Sequence, residues 1–249
     1  MRAALAVFLL LLLVMSAALA GAQSPQAGQV RAWATRYHED PPSVDRMRAE
    51  LTQAVTADPS VDNLVALAEV CFIWGEVRAK TTDDKLAAYD QGRQAAQRAV
   101  ELAPRSVTAH LWYAIDTGRW GQTKGMMRSL FLLPIVRKEI DTVLALDPKF
   151  PPAYSLAGHF YLEVPGMLGG DLDRAEKLFR TGLGLDPTFT DMRVGLAKTL
   201  LKKGRVADAR KELDAVLAEK APHNLADWTL KDVVEARELL DSIRTLPGG

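Results

Sequence analysis

The side chains best suited to nucleophilic or metal chemistry in this sequence are four histidines and one cysteine, and their spacing supports neither use. His38, His110, His159 and His223 lie far apart, without the His-x-x-x-His or Glu-bearing helical spacing that turns two ligands toward one metal ion. Cys71 stands within Val70-Cys71-Phe72-Ile73-Trp74, the setting of a small buried hydrophobe, and as the lone cysteine it has no internal disulfide partner. A serine nucleophile held on a Gly-x-Ser-x-Gly turn is absent. Paired carboxylates could share acid and base roles, but Asp83/Asp84, Asp171/Asp173 and Glu235/Glu238 fall on loops or exposed helix faces, where they are solvated or cap helices. Glycines surround Lys124 without forming the Gly-x-x-x-x-Gly-Lys-Ser/Thr phosphate cradle. The sequence is therefore expected to hold no catalytic residue, no metal site and no cofactor.

What the chain repeats is a stop signal. Apolar stretches end at Asp58-Pro59, Ala103-Pro104, Asp147-Pro148, Asp186-Pro187 and Ala221-Pro222. Counting back 12, 8 and 5 residues from the first four prolines gives Met47/Leu51/Ala54, Gly92/Ala96/Ala99, Val136/Ile140/Val143 and Ala175/Phe179/Gly182. From Ala221 the same count gives Ala209, Leu213 and Val216. Small or apolar residues at this spacing form the inner face of the second helix of a tetratricopeptide (TPR) repeat. First helices of such repeats carry a bulky residue, a large-small pair and a further apolar residue, as in Tyr154/Ala157-Gly158/Tyr161 and Arg193/Leu196-Ala197/Leu200. The expected fold is all-α, a right-handed TPR solenoid of about five helix pairs at residues 26–59, 60–104, 105–148, 149–187 and 188–222. Leu225, Trp228, Val233-Val234, Ala236 and Leu239-Leu240 make a further amphipathic helix, so 223–249 reads as a capping helix and tail.

The first residues read as a secretory leader. Arg2 supplies a charged start and Leu9 to Leu13 an apolar core. Ala18-Leu19-Ala20 and Ala20-Gly21-Ala22 then offer small-x-small cleavage sites, so 1–22 is expected to be a removed signal peptide. The alternative is an uncleaved anchor, since Ala3 to Ala20 is nearly long enough to span a bilayer, and membrane contact is expected only in that case. Ala22 stands where a lipidated cysteine would follow Leu19-Ala20-Gly21, so the expected location is periplasmic or secreted without a lipid anchor. Removing Arg2 from 31 basic residues leaves 30 against 31 acidic ones, and so balanced a chain presents no nucleic-acid surface.

A stack of helix pairs offers a surface to bind with. Between the core residues of paired helices a regular TPR has nine positions, whereas Cys71 to Gly92 is 21, Thr117 to Val136 is 19 and Tyr161 to Ala175 is 14. Each of these pairs is expected to carry an insert on one rim of the stack. The insert from Gly118 to Pro134 combines a Gly-rich turn, cations and an apolar run, with Trp120, Met126, Met127 and Phe131 as candidate contacts for an apolar ligand, a partner helix or a second copy of the chain. The alternative is that this run packs as the lead-in to the next helix.

From Trp112-Tyr113-Ala114-Ile115 through Gly118-Arg119-Trp120-Gly121, over Gly125 to Pro134, at Leu146-Asp147-Pro148 and from Val164-Pro165 to Asp171, the chain resembles bacterial envelope TPR proteins. These are grouped with the T component of tripartite ATP-independent periplasmic (TRAP) transporters. From His110 through Gly204 to Ala209 it also resembles eukaryotic regulators of microtubule dynamics. Together the likeness covers about residues 60–220. The first resemblance implies a periplasmic helical protein that assembles with a transporter's substrate-binding component and holds a small apolar ligand in a concave cavity. A generic envelope scaffold, with no transport role and no small ligand, is the alternative. The TPR rule for concave positions selects Glu69, Phe72, Leu111, Ile115, His159, Leu162, Val194, Lys198 and Leu201. Phe72, Leu111 and Ile115 also suit core positions, and His159 suits a hydrogen-bonded core histidine.

Overall fold

The computed structural model describes residues 24–244; the leader read over 1–22 and the tail after residue 244 lie outside the described residues. Every regular element among them is helical. After α1 (Pro25–Trp33) and a 3-10 turn at Tyr37–Glu39 come α2 (Ser43–Ala57), α3 (Val61–Val77), α4 (Thr82–Leu102), α5 (Val107–Lys124) and α6 (Met126–Leu146). The array continues with α7 (Pro151–Glu163), α8 (Leu172–Leu185), α9 (Thr190–Lys202) and α10 (Val206–Ala218). The chain closes with a single turn α11 (Leu225–Asp227), a π-helical turn over Trp228–Asp232 and α12 (Val233–Arg244). Each helix packs on its sequence neighbours, the arrangement of a helical solenoid.

The prolines act where the sequence places them. Asp58, Ala103, Asp147 and Asp186 each leave their helix with φ between −142° and −136° and ψ between 78° and 96°, because a following proline excludes the helical region. Starts are equally local. Thr81 and Asp84 form a reciprocal capping box at α4, and the Asp171 carboxylate accepts from the amides of Asp173 and Arg174 at 2.9 and 3.0 Å at α8. The residues counted back from the prolines become the inner stripe of the second helices. Leu51, Ala96, Ala99, Ile140, Val143, Ala175, Phe179, Ala209, Leu213 and Val216 are all buried.

Two of the three inserts differ from expectation. They lengthen helices instead of adding loops between them. The glycines from Gly118 to Gly121 lie inside α5, and α6 begins at Met126 and runs straight through Pro134. Gly121 permits this close hairpin, since a β-carbon there would stand 2.9 Å from Leu132 Cδ1 and 3.4 Å from Ser129 Cα. Pro134 lies in the exposed first half of α6, where the ladder bond it cannot make is lost toward solvent. Only the 164–171 insert remains a loop, with a 3-10 turn at Gly166–Leu168.

The C-terminal segment does more than cap. Ala236, Leu240 and Ile243 of α12 join the core of Ala209, Leu213 and Val216, as an end cap should. The turn before it crosses to the other end of the array. Ala226 is buried in the N-terminal core beside Tyr37 and Leu64, its amide donates to Thr35 O at 2.8 Å, and the Tyr37 hydroxyl donates to Asp227 Oδ1 at 2.7 Å. First and last elements are thereby joined. Removing only the hydroxyl, Tyr37→Phe, is expected to lower unfolding stability by about 1.5–3 kcal/mol, the usual worth of a hydrogen bond to a charged group. Urea melts would read the loss, and faster amide exchange confined to 224–232 would show that the crossing opens first.

Candidate functional site

The TPR-rule positions are split by the structure. Leu111 is buried with Val143 and Ala153, Ile115 packs half-buried against that cluster, and Leu162 is buried in the C-terminal core, so these three line the interior. On the inner side Phe72 and Lys198 meet the chain's own C-terminal segment, while Glu69 and His159 are half-buried. The Lys231 ammonium stands 5.4 Å from the Phe72 ring centre, which also packs on Trp112 at 5.6 Å. Glu235 pairs with Lys198 at 3.0 Å, and the Thr190 hydroxyl donates to Asp232 Oδ2 at 2.6 Å. His223 stacks on Phe189 at 4.3 Å and pairs with Asp186 at 2.7 Å.

This inner side is electrostatically loaded. Burial pushes the Glu69 carboxyl up to about 7, with Asp227 adding to the shift and Arg31 opposing it. Burial likewise pushes Asp232 up to about 7, with Asp191 and Asp227 adding and Thr190 and Lys231 opposing. For Asp191 burial works against ionisation, yet the neighbouring His159, the Ser155 hydroxyl and Lys231 hold its carboxyl well below the ordinary range. Burial works against the Lys198 ammonium too, but Glu235 and Glu163 raise its pKa overall.

Ser155, His159 and Asp191 meet here, the three residue types of a hydrolytic triad. Their wiring differs from one. Both the Ser155 hydroxyl and His159 Nε2 bond to Asp191, the latter at 3.1 Å, so the imidazole is turned to the carboxylate and not to the serine oxygen. His110 is held between Glu139 and Pro104 O, a buried structural bridge. Among the described residues no three His, Cys, Asp or Glu side chains converge as a metal site.

The remaining sequence-selected residues form a separate surface at the α5–α6 turn. Met126, Met127 and Phe131 are 80%, 67% and 72% exposed and stand outside the core, whereas Leu130, Leu132 and Leu133 of the same run are half-buried. Trp120 stands half-buried behind them with the cationic groups of Arg93, Lys124 and Arg128 at 5.0, 5.8 and 5.5 Å from its ring.

Several contributors escaped the sequence reading. Tyr37, Asp227 and Asp232 gain their roles only when the chain ends meet, and nothing local signals that. Asp116 did leave a signal, since it follows Ala109 by seven residues and so falls on the buried stripe of α5. It is fully buried with neither carboxylate oxygen hydrogen-bonded, and burial raises its pKa well above the ordinary value.

Residues 35–181 match the family model described as regulator of microtubule dynamics protein 1-3, and residues 167–231 match a tetratricopeptide-repeat model. The chain is 27% identical over 119 residues to regulator of microtubule dynamics protein 2 of Rattus norvegicus, covering 45% of this chain and 29% of that protein. It is 23% identical over 176 residues to the rat protein 3, covering 61% and 37% respectively. The chain thus spans well under half the length of these curated relatives. Among solved structures, a thermophilic TPR protein from Thermus thermophilus superposes with a TM-score of 0.64 at 18% identity, over 86% of this chain and 98% of that one. The Pseudomonas aeruginosa pilF structure gives 0.53 at 15% identity, over 90% and 91%. At these identities the superpositions speak for the TPR fold alone.

Proposed function

The chain belongs to the regulator of microtubule dynamics protein 1-3 family, and on that premise we propose that it is a protein-interaction module that takes a helical segment of its partner on the inner side of its array. One observation carries this reading: the inner side already seats a helix, the chain's own segment from Leu225 to Glu235, through Phe72, Thr190 and Lys198. A surface with apolar, cationic and hydroxyl groups in register for a helix suits a protein partner better than a small ligand. In its finer form the reading is a secreted or periplasmic protein that assists a TRAP-type transporter by holding its substrate-binding component. The sequence likeness through Gly118–Pro134 and Val164–Asp171 supports that form, and the leader read over 1–22 supports the location. The microtubule role in the relatives' names is not carried over, because a secreted chain would not meet tubulin.

A photo-crosslinking residue placed at Phe72 or Lys198 in the producing cell tests the reading. The expected result is a discrete protein adduct, with amide exchange over 225–235 rising when the purified partner is added. Adducts formed only from outer positions such as Thr142, and none from the inner pair, would overturn it.

A further inference from the structure

The α5–α6 tip has a chemistry that the inner side leaves unused. α5 and α6 form one hairpin that turns at Gly125 alone, whose φ of 109° suits glycine. Met127, Phe131 and Ile135 follow at i, i+4 and i+8, one continuous apolar stripe facing outward. The loop beside α6 adds Met167, which is 93% exposed.

The charge around the stripe says what would cover it. Residues 117–138 carry five cations and none of the 31 carboxylates of a chain whose net charge is zero; Arg119 turns to Glu76 at 3.6 Å and to the Phe72 ring, which leaves Lys124, Arg128, Arg137 and Lys138 for the hairpin. Trp120 sits at the boundary between these cations and the apolar side chains. The first-turn amides of α6 have no side-chain cap and add partial positive charge at the same end. A second copy would set cation against cation. An exposed apolar stripe at a helix-hairpin turn, flanked by cations with an aromatic residue beside them, matches the requirements of an anionic lipid interface. We propose that the α5–α6 tip docks on an anionic phospholipid bilayer, with Met126, Met127 and Phe131 entering the headgroup boundary and Lys124 and Arg128 on the phosphates.

The mature chain with Met127→Cys, labelled with an environment-sensitive fluorophore, tests this, because Cys71 is buried and leaves position 127 as the reactive thiol. Phosphatidylcholine vesicles with and without phosphatidylglycerol are titrated in. The expected result is sedimentation with a blue-shifted label only when phosphatidylglycerol is present, weakening as salt is raised. Lys124→Gln and Arg128→Gln should each weaken binding about fivefold. The pair Met127→Asp and Phe131→Asp should weaken it more than about tenfold at an unchanged melting temperature, since both side chains lie outside the core. A label that does not shift while the protein sediments overturns the proposal by assigning binding to another part of the chain. Equal binding to neutral vesicles overturns it as well. So does a dimer that the Asp pair breaks without any vesicle binding, which would assign the face to a second copy.

Discussion

Truncating Phe179 to alanine is expected to cost about 3–5 kcal/mol of folding stability, the usual loss when a fully buried phenyl ring is removed. The ring is the pivot of three helices. A β-carbon on Gly158 of α7 would lie 2.5 Å from Phe179 Cε1, and one on Gly195 of α9 would lie 2.4 Å from Phe179 Cζ, so two glycines make the slot that the ring fills. His159 meets the same ring edge-on at 5.1 Å. Filling the slot should therefore be costly in its own right, and Gly195→Ala is expected to lose about 1–3 kcal/mol or more. The two losses should not add. With Phe179→Leu in place, Gly195→Ala should cost markedly less, and a double-mutant cycle by urea unfolding would measure the difference. Additive losses would mean that α9 shifts away from the ring, so that the slot is not what fixes the α7–α9 crossing.

Stability should also fall as pH rises from about 5 to 8. Glu69 and Asp232 are pushed up to about 7, so the folded chain holds protons there that the unfolded chain has already released near its ordinary carboxylate pKa of about 4. Their contribution is full below the unfolded value and lost as pH rises through about 7. The Glu69 shift alone corresponds to on the order of 3 kcal/mol, or roughly 6–12 °C in melting temperature for a domain of this size. Asp116 adds in the same direction. Carboxylates held low act oppositely: Glu176, brought down to about 2 chiefly by its Lys203 hydrogen bond, contributes above its unfolded pKa and loses that contribution as pH falls toward 2. The stability maximum is thus expected between about pH 4 and 5. Glu69→Gln should raise the melting temperature at pH 8 and change it little at pH 4. Equal melting temperatures at pH 5 and pH 8 in both proteins would show that water reaches these carboxylates.

The array was legible because its cause is local. A proline that forbids helix at the residue before it, and a stripe counted back from that proline, depend on neighbours a few residues apart, so Leu51, Ile140, Phe179 and Leu213 could be placed in the core from spacing alone. The inserts were misread for a physical reason. Gly118, Gly121 and Pro134 are turn formers by propensity, but long helices packed against each other tolerate them when a glycine lets the backbones approach. The site was only partly legible. Exposure of Met127 and Phe131 depended on where α6 begins, and the occupancy of the inner side depended on contacts such as Tyr37 with Asp227, which join residues 190 positions apart. No periodicity within one helix encodes a meeting of that kind.

The join between Thr35 and Ala226 also sets a limit on inheritance. An open array can lengthen by duplicating a helix pair, because each new pair needs only its neighbour to rest on. Here an added pair would carry Ala226 away from Thr35 and Asp227 away from Tyr37, emptying a place in the N-terminal core that the chain's own last turn fills. Change in this lineage should therefore come as longer hairpins and longer rims, with the number of pairs held constant.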